Sequence, residues 1–243
     1  MITGLLRPPA CFREVVLRNK NSMARELVPL GDSGFILRLD DSLGEVRAAT
    51  EKLLAAEISG VSEIVPAFAS VGIFFDQPVD PETTANEIQV ALKRRSRRAR
   101  KMDRPRAIEI PVCYDESLAP DLLTVAEHCR LTPNELVRRH RAARYQVRCV
   151  GFTPGFPYLS GLPRELAMPR RATPRTSVPA GSVAIGGSQS GIYPLASPGG
   201  WNLIGRTPLR IFDPERESPA LLRIGDKVRF RAISVEEFEQ WRA

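Results

Sequence analysis

The feature that most restricts the fold of this sequence is a long segment dense in helix breakers. Residues 151–219 contain ten glycines and eleven prolines. Proline has no backbone N–H and its ring clashes inside a helix, and glycine favours turns, so long helices are excluded here. The segment instead predicts short strands joined by tight turns, as in a small β-barrel.

The part of the chain before this segment has a mixed pattern of strands and helices. Short apolar runs between turn residues indicate strands, and apolar residues at three- to four-residue spacing indicate amphipathic helices. The predicted elements are strands at 26–30 and 34–39, a helix at 43–58, strands at 62–68 and 70–75, a helix at 81–98 and a strand from Arg106 to Cys113. This order predicts an α+β domain of the ferredoxin-like kind.

These patterns divide the chain into three segments. Residues 1–22 contain a Pro-Pro pair and no regular period, so we expect a loose N-terminal extension, with Met23 as an alternative start. Residues 23–104 form the predicted ferredoxin-like domain. Residues 105–243 form the predicted mainly-β barrel domain, since they include the segment rich in glycine and proline.

The barrel domain also carries helical patterns. Spacing between residues 115 and 143 is helical, and Thr132-Pro133-Asn134-Glu135 has the sequence of a capping box with proline at the first helical position. A strand is predicted at 145–152, and a strand followed by a short helix is predicted at 230–241. The domain is therefore expected to combine a barrel with a few short helices.

Charge and cysteine content restrict the partners and the compartment. The net charge is +7, but nine basic residues fall between Lys93 and Arg106. We interpret this cluster as a solvated helix end that leads into a linker. An acidic protein partner is the first alternative, and nucleic acid is a weaker one because no aromatic residue interleaves for base stacking. Four cysteines without a CxxC pair, and no apolar run of about 18 residues, indicate a cytoplasmic protein without a membrane partner.

A run of thirty residues, Thr176 to Gly205, contains no Asp, Glu, Lys or Arg but is rich in hydroxyl and amide side chains. Such a run is typical of a shielded polar cleft or a buried interface between subunits. The flanking arginines are Arg170, Arg171 and Arg175 before it and Arg206 and Arg210 after it. Guanidinium groups grip planar anions, so the pattern predicts a carboxylate, carbamate or phosphate ligand. The alternative is that these arginines only pair with Asp213 and Glu217.

The common catalytic motifs are absent. Gly187 to Gly191 has Gln189 where a nucleophile elbow needs serine, and Thr153 is followed by a proline that cannot donate an oxyanion-hole amide. His128 and His140, the two histidines, are predicted on separate helices without metal-ligand spacing, which indicates structural roles and no metal site. No glycine-rich phosphate loop with its lysine is present, so ATP chemistry would need a partner.

One stretch has a specific resemblance. The run Gly151-Phe152-Thr153-Pro154-Gly155-Phe156-Pro157-Tyr158-Leu159-Ser160-Gly161-Leu162-Pro163 is similar to the signature of the family that includes the B subunit of 5-oxoprolinase, also called allophanate hydrolase subunit 1, and the KipI inhibitor of a sporulation histidine kinase. The similarity continues through Pro169-Arg170, Thr173-Pro174-Arg175, Val178-Pro179-Ala180-Gly181-Ser182-Val183, Gly191-Ile192-Tyr193-Pro194 and Ser197-Pro198-Gly199-Gly200-Trp201 to Gly205-Arg206-Thr207-Pro208. It covers about Leu27 to Phe230.

The resemblance implies a ferredoxin-like domain followed by a cyclophilin-like barrel. It also implies a non-autonomous member of an ATP-dependent amide hydrolase, in which three proteins, the A, B and C subunits, together convert 5-oxoproline to glutamate. ATP, with Mg²⁺, is then expected at the assembled complex. Because a related domain occurs in urea carboxylases, allophanate or another urea derivative is an alternative substrate. The alternative function is that of a KipI-like inhibitor that binds a sensor histidine kinase.

On this basis we expect the barrel to pair directly with the matching barrel of the C subunit. The substrate-binding residues expected in the shared cleft are Arg175, Gln189, Tyr193, Ser197 and Arg206. Arg175 or Arg206 would hold a carboxylate or a phosphorylated intermediate, and Gln189 and Tyr193 would hydrogen-bond the lactam amide. No catalytic residue is assigned; a general-base role for His140 is less favoured than a structural one.

Overall fold

The structure is a computed structural model, and it describes residues 26–94 and 104–241. The chain divides between residues 102 and 103 into two compact units. The predicted extension at 1–22 and the centre of the basic cluster, 95–103, lie outside the described residues. The two units are described separately.

The first unit is one antiparallel sheet with two helices. Its elements are β1 (Glu26–Pro29), β2 (Gly34–Arg38), α1 (Leu43–Ala56), β3 (Val61–Ala67), β4 (Ser70–Phe75) and α2 (Pro81–Lys93). The sheet order is β1-β2-β4-β3. The helices begin at polar caps: the Ser42 hydroxyl accepts from the Glu45 amide and the Asp80 carboxylate from the Thr83 amide, as helix starts require.

The core of this unit is formed by alternate strand residues and by one stripe of each helix. Phe35, Leu37 and Ile73 are buried from the strands, and Val46 and Ile88 from the helices. This periodicity matches the predicted strands and helices, whose positions are confirmed to within a few residues, except that α2 ends at Lys93.

One strand assignment from the sequence is wrong. Element order assigns the strand from Arg106 to Cys113 to the first sheet, although the predicted domain boundary at 104/105 places it in the barrel domain. It does not complete the first sheet, because β1 already pairs with the outer edge of β2. Residues 107–113 instead belong to the barrel of the second unit, where they pair in parallel with Lys227–Ile233.

The second unit is built on a closed barrel of seven strands. Its elements are β5 (Ala107–Cys113), α3 (Leu122–His128), α4 (Pro133–Ala142), β6 (Tyr145–Val150), β7 (Pro157–Ser160), a 3₁₀ turn (Arg164–Leu166), β8 (Arg175–Val178), β9 (Ser182–Gly186), β10 (Gln189–Ile192), β11 (Ser197–Gly199), β12 (Asn202–Arg206), β13 (Lys227–Ile233) and α5 (Val235–Gln240). The barrel order is β10-β7-β6-β13-β5-β12-β9, and β8 pairs with β11 in a separate ribbon. The predicted barrel is confirmed.

Strand β9 is buried on both faces and separates two apolar clusters. Val183 and Ile185 belong to the barrel core. Ala184 between them belongs to a second cluster, called here the aromatic cluster, which consists of Phe156, Val178, Ala184, Tyr193, Trp201 and Leu203. Successive side chains of a strand point to opposite faces, so β9 carries the barrel interior on one side and the aromatic cluster on the other. This cluster forms the wall of the candidate site.

The caps of the second unit's helices differ from the sequence pattern in one detail. Thr132 accepts from the Glu135 amide at 3.2 Å, but the Glu135 carboxylate binds Arg138 and Arg139 instead of returning to the cap, so α4 has half of the predicted box. The predicted C-terminal strand and helix are confirmed as β13 and α5. Within residues 26–94 and 104–241, no helix is long and apolar enough to cross a membrane.

Candidate functional site

A cavity of about 480 Å³ lies in the second unit against the aromatic cluster. Its walls come from the loop after β6, from β7, from the loop before β8 and from the segment around β11. The lining residues are Phe152, Thr153, Phe156, Tyr158, Arg170, Arg171, Pro174, Tyr193, Ser197, Pro198, Gly199, Gly200 and Trp201. The set includes arginines and no carboxylate, which favours an anionic ligand.

The aromatic wall is centred on Phe156, which is buried. Its ring makes edge-to-face contacts with Tyr193 and Trp201, at centroid distances of 5.1 and 5.5 Å. It also contacts Tyr158 at 4.9 Å and Phe152 at 5.7 Å in the same manner. Edge-to-face packing fixes each ring against the next, so the wall is preorganised rather than adaptable.

Two glycines allow Trp201 to lie against the barrel. A Cβ atom at Gly186 would collide with the Trp201 indole, and one at Gly191 would lie 2.8 Å from the Phe156 ring and 3.0 Å from Trp201. Glycine in a strand often marks such a close approach. The glycines of this hairpin therefore serve ring packing.

Of the two arginines that line this cavity, Arg170 is the one whose guanidinium can form an ion pair with a ligand. Its guanidinium carbon lies 5.7 Å from the Trp201 ring centroid, a cation–π arrangement. Arg170 is exposed, and within the described part of the chain it forms no ion pair. Arg171, by contrast, places Nη1 3.1 Å from Oδ1 of Asp121.

Asp121 is a buried carboxylate that forms ion pairs with two of the arginines predicted to bind an anion. Its oxygens accept from both terminal nitrogens of Arg175, at 2.8 and 2.9 Å, in addition to Arg171. The amide of Leu203 also donates to it at 2.7 Å. Asp121 thereby ties the start of α3 to β8 and β12, and the Arg175 fork is engaged within the protein.

Two hydroxyl groups at the cavity are buried without a partner. Neither Thr153 Oγ1 nor Ser197 Oγ has a hydrogen-bond partner among the residues that the structure describes. A buried polar group without a partner costs about 1–3 kcal/mol, and such groups are few in folded proteins. Burial also raises the pKa of Tyr193, so its hydroxyl stays protonated at neutral pH.

Phe152 stands at the rim of the cavity in an unusual conformation. Its φ angle is +72°, in the left-handed region, and 65% of its surface is exposed. A bulky residue in this region is strained by about 1–2 kcal/mol. Strain and apolar exposure at the cavity rim make Phe152 a candidate for ligand contact.

The structure brings together some of the predicted substrate-binding residues. Tyr193 and Ser197 both line the cavity, whereas Arg175 is held by the Asp121 carboxylate. Gln189 begins β10 opposite Gly186 and is not among the lining residues.

Arg206 lies in a different groove, with Leu195 and Phe212. Its Nε donates to the carbonyl of Ala180 at 2.8 Å, and its guanidinium lies over the Phe238 ring. The cavity and this groove are separate features of the same unit.

Two residues that line the cavity, Arg170 and Thr153, are not among the five substrate-binding residues predicted from the sequence, although Arg170 is one of the arginines that flank the charge-free run. Thr153 lies in the signature run, which is the signal that could have indicated it, but its motif predicts only the absence of a nucleophile. The alternative pairing of the arginines with Asp213 holds for Arg210, at 3.1 Å, whereas Arg171 pairs elsewhere.

His140 has a structural environment. It is fully buried on α4; its Nδ1 lies 2.9 Å from the Tyr114 hydroxyl and its Nε2 3.3 Å from the Ser190 hydroxyl. Burial lowers the pKa of His140 to about 3, so the ring is neutral. His128 is exposed on α3.

The glycine-rich hairpin does not match a phosphate site. Gly186, Gly187 and Gly191 lie in or beside β9 and β10 rather than in a loop that precedes a helix, so they do not form a phosphate-binding loop. Within the described ranges, no group of three His, Cys, Asp or Glu side chains is arranged to hold a metal ion.

Comparison with known proteins agrees with the motifs. The family described as carboxyltransferase domain, subdomain C and D, matches residues 25–222. The 5-oxoprolinase B subunit of Bacillus subtilis is 36% identical over 89% of this chain and 96% of its own length. The 5-oxoprolinase B subunit of Escherichia coli O157:H7 is 42% identical over 83% of this chain and 93% of its own.

A solved structure supports the fold. The crystal structure of TTHA0988 has a TM-score of 0.68 and 35% identity over 83% of this chain, which spans 40% of the TTHA0988 chain. The resemblance drawn from the signature run is thereby confirmed, and this chain belongs to the carboxyltransferase domain, subdomain C and D, family, together with the B subunits of 5-oxoprolinases.

Proposed function

We propose that this chain is the B subunit of an ATP-dependent 5-oxoprolinase, which hydrolyses the cyclic amide 5-oxoproline to glutamate together with the A and C subunits. Two relatives that match it over nearly their whole length are named as 5-oxoprolinase B subunits. The observation that carries the proposal at the site is the cavity itself. As far as the described residues go, it combines a guanidinium without an ion pair, two hydroxyls without a hydrogen-bond partner and aromatic walls.

The cavity suits binding and orientation of a small lactam. Hydrolysis breaks the ring C–N bond and adds one water, which leaves a new carboxylate and an amine. Among the described residues no serine or cysteine has a base aligned with it in this cavity, since His140 is buried elsewhere. We therefore assign substrate binding to this chain and the bond-breaking groups to the assembled complex.

ATP and Mg²⁺ are assigned to the other proteins of the complex. The glycine-rich hairpin of this chain does not fit a phosphate loop, and the described residues offer no carboxylate cluster for Mg²⁺. No step of the reaction is assigned to ATP in this chain.

We further propose that the barrel is cyclophilin-like and that the first unit is a ferredoxin-like layer in which β1, the first strand of the chain, is an edge strand. We also propose that the protein acts in the cytoplasm.

The barrel would pair with the matching barrel of the C subunit through the groove that contains Arg206. Exposed Leu195 and half-buried Phe212 give this groove an apolar surface. If Arg206→Ala leaves both assembly and the assembled activity unchanged, the pairing surface lies elsewhere.

Copurification and complementation test the function. Tagged chain should retain the C subunit in a pull-down and restore growth on 5-oxoproline to cells that lack their own B subunit. A KipI-like inhibitor would instead block autophosphorylation of a sensor histidine kinase. Kinase inhibition without complementation would contradict the proposal.

A further inference from the structure

We infer that this chain binds a small planar carboxylate by itself, before assembly, and that Arg170 is the residue that anchors the carboxylate. The inference rests on the proposed function only for the identity of the natural ligand, a five-membered cyclic amide. The site is the cavity against the aromatic cluster, and neither Arg170 nor Thr153 is among the substrate-binding residues expected from the sequence.

The charge of the cavity favours an anion. Arg170 and Arg171 line it, and none of its lining residues is acidic. Asp121 neutralises Arg171 from within the protein, which leaves the Arg170 guanidinium as the available cation. A guanidinium presents parallel N–H donors that match the two oxygens of one carboxylate.

The shape of the cavity favours a flat ligand. Trp201 lies beneath the Arg170 guanidinium, and Tyr158 meets the Trp201 ring at a centroid distance of 5.8 Å. Trp201 is 5% exposed, so a ligand ring would lie against the exposed Phe152 and the half-buried Tyr158 while its carboxylate reaches the guanidinium. The volume of about 480 Å³ exceeds that of a five-membered ring, so a reacting group from another protein of the complex can also enter.

The unpartnered hydroxyls favour a ligand with an amide. A lactam presents one carbonyl acceptor and one N–H donor, and a hydroxyl can serve either. Thr153 and Ser197 each bring a buried hydroxyl without a partner within the described residues, and the protonated Tyr193 hydroxyl lies in the same cavity. Both oxygens are buried in this conformation, so the Thr153 or Ser197 side chain must rotate before a lactam can pair with it and remove its desolvation penalty.

A phosphate ligand is the competing anion. Phosphate sites combine several backbone N–H groups or arginines, as at helix N-termini. Here one available guanidinium and hydroxyl groups on an aromatic wall match a carboxylate with an apolar ring better. Inorganic phosphate is therefore the discriminating probe.

The test uses tryptophan fluorescence of the full chain carrying Trp241→Phe, which removes the exposed second tryptophan and leaves Trp201 as reporter. 5-Oxoproline should change the emission in a saturable manner, whereas 2-pyrrolidone, which lacks the carboxylate, and inorganic phosphate should not. Arg170→Ala should weaken binding at least about tenfold, the loss expected for a charge-assisted contact. Arg164→Ala, which removes another exposed arginine of the same unit, is the matched control and should bind as the parent does.

Several results would overturn the inference: no saturable change with 5-oxoproline, equal binding by Arg170→Ala, or tighter binding of phosphate. Arg170 is exposed and forms no described ion pair, so the variant should fold; circular dichroism checks this. The two proposals fail separately. A complex that releases glutamate although the isolated chain binds nothing keeps the function and refutes this inference. If the isolated chain binds 5-oxoproline but no mixture releases glutamate, the inference is kept and the proposed function is refuted.

Discussion

Acidification should destabilise the second unit through one buried histidine. His140 is enclosed by Tyr114, Ser190 and the stacked ring of Phe230, at 4.7 Å between centroids. The Ser190 hydroxyl donates to the Ala184 carbonyl at 3.1 Å, which leaves its oxygen to accept from Nε2–H, while Nδ1 accepts from the protonated Tyr114 hydroxyl. This network uses the neutral ring, and burial away from water disfavours the charged imidazolium that a second proton would create.

The size of the effect follows from the pKa values of the two states. Burial lowers the pKa of His140 from its ordinary value of 6.5 to about 3 in the folded protein. Between about pH 6.5 and pH 3, His140 is protonated in the unfolded chain but not in the folded chain. The free energy of unfolding therefore falls as the pH falls through this range. Between pH 7 and pH 5 the loss from this residue is about 2 kcal/mol, at about 1.4 kcal/mol per pH unit below 6.5.

Urea unfolding followed by tryptophan fluorescence measures this loss, because Trp201 and Trp241 both lie in the second unit. The free energy of unfolding should be determined at pH 7 and pH 5 for the parent and for His140→Gln. The variant should be less stable at pH 7, since glutamine lacks the ring that packs against Tyr145 and Phe230, but its loss on acidification should be smaller by about 2 kcal/mol.

The control is His128→Gln, which removes the exposed histidine and should leave the pH dependence of the parent unchanged. If His140→Gln and the parent lose the same free energy of unfolding between pH 7 and pH 5, the buried neutral histidine does not act as argued. A His128→Gln variant that lost the dependence would show that His128, and not His140, is responsible for it.

Three further substitutions test the packing around the cavity. Phe152→Gly should be more stable than Phe152→Ala by about 1 kcal/mol in urea unfolding, because glycine tolerates a φ of +72°; equal stability would contradict the strain. Asp121→Asn should lower the free energy of unfolding by about 2–3 kcal/mol, since two arginines lose a buried carboxylate, and an unchanged midpoint would show that the ion pairs contribute nothing. Gly191→Ala should shift the emission of Trp201, because a methyl group there would lie 3.0 Å from the indole; an unaltered spectrum would exclude a rigid wall.

Local pattern predicts most elements of the fold but not all of their partners. The apolar pattern of β5 is local and correctly predicts a strand, yet the sheet predicted for that strand is wrong. Its partner β13 lies more than a hundred residues later, and no local pattern indicates that parallel pairing. The first sheet is completed by β1, which sequence order alone does not suggest.

The candidate site shows the same division between local and distant information. The charge-free run predicts a polar cleft, and Tyr193 and Ser197 within it line the cavity. The choice between Arg170 and Arg175 could not be made from the sequence, because it depends on Asp121, about fifty residues upstream. The buried carboxylate engages one arginine and leaves the other available.

ATP-dependent release of glutamate from 5-oxoproline by purified proteins tests whether this chain shares an active site with its partners. Three reactions are compared: this chain alone, the A and C subunits without it, and all three together. We expect glutamate in the complete mixture, and none above background in either of the other two. Glutamate from this chain alone, or no glutamate from the complete mixture, would contradict a substrate-binding protein that shares its active site with its partners.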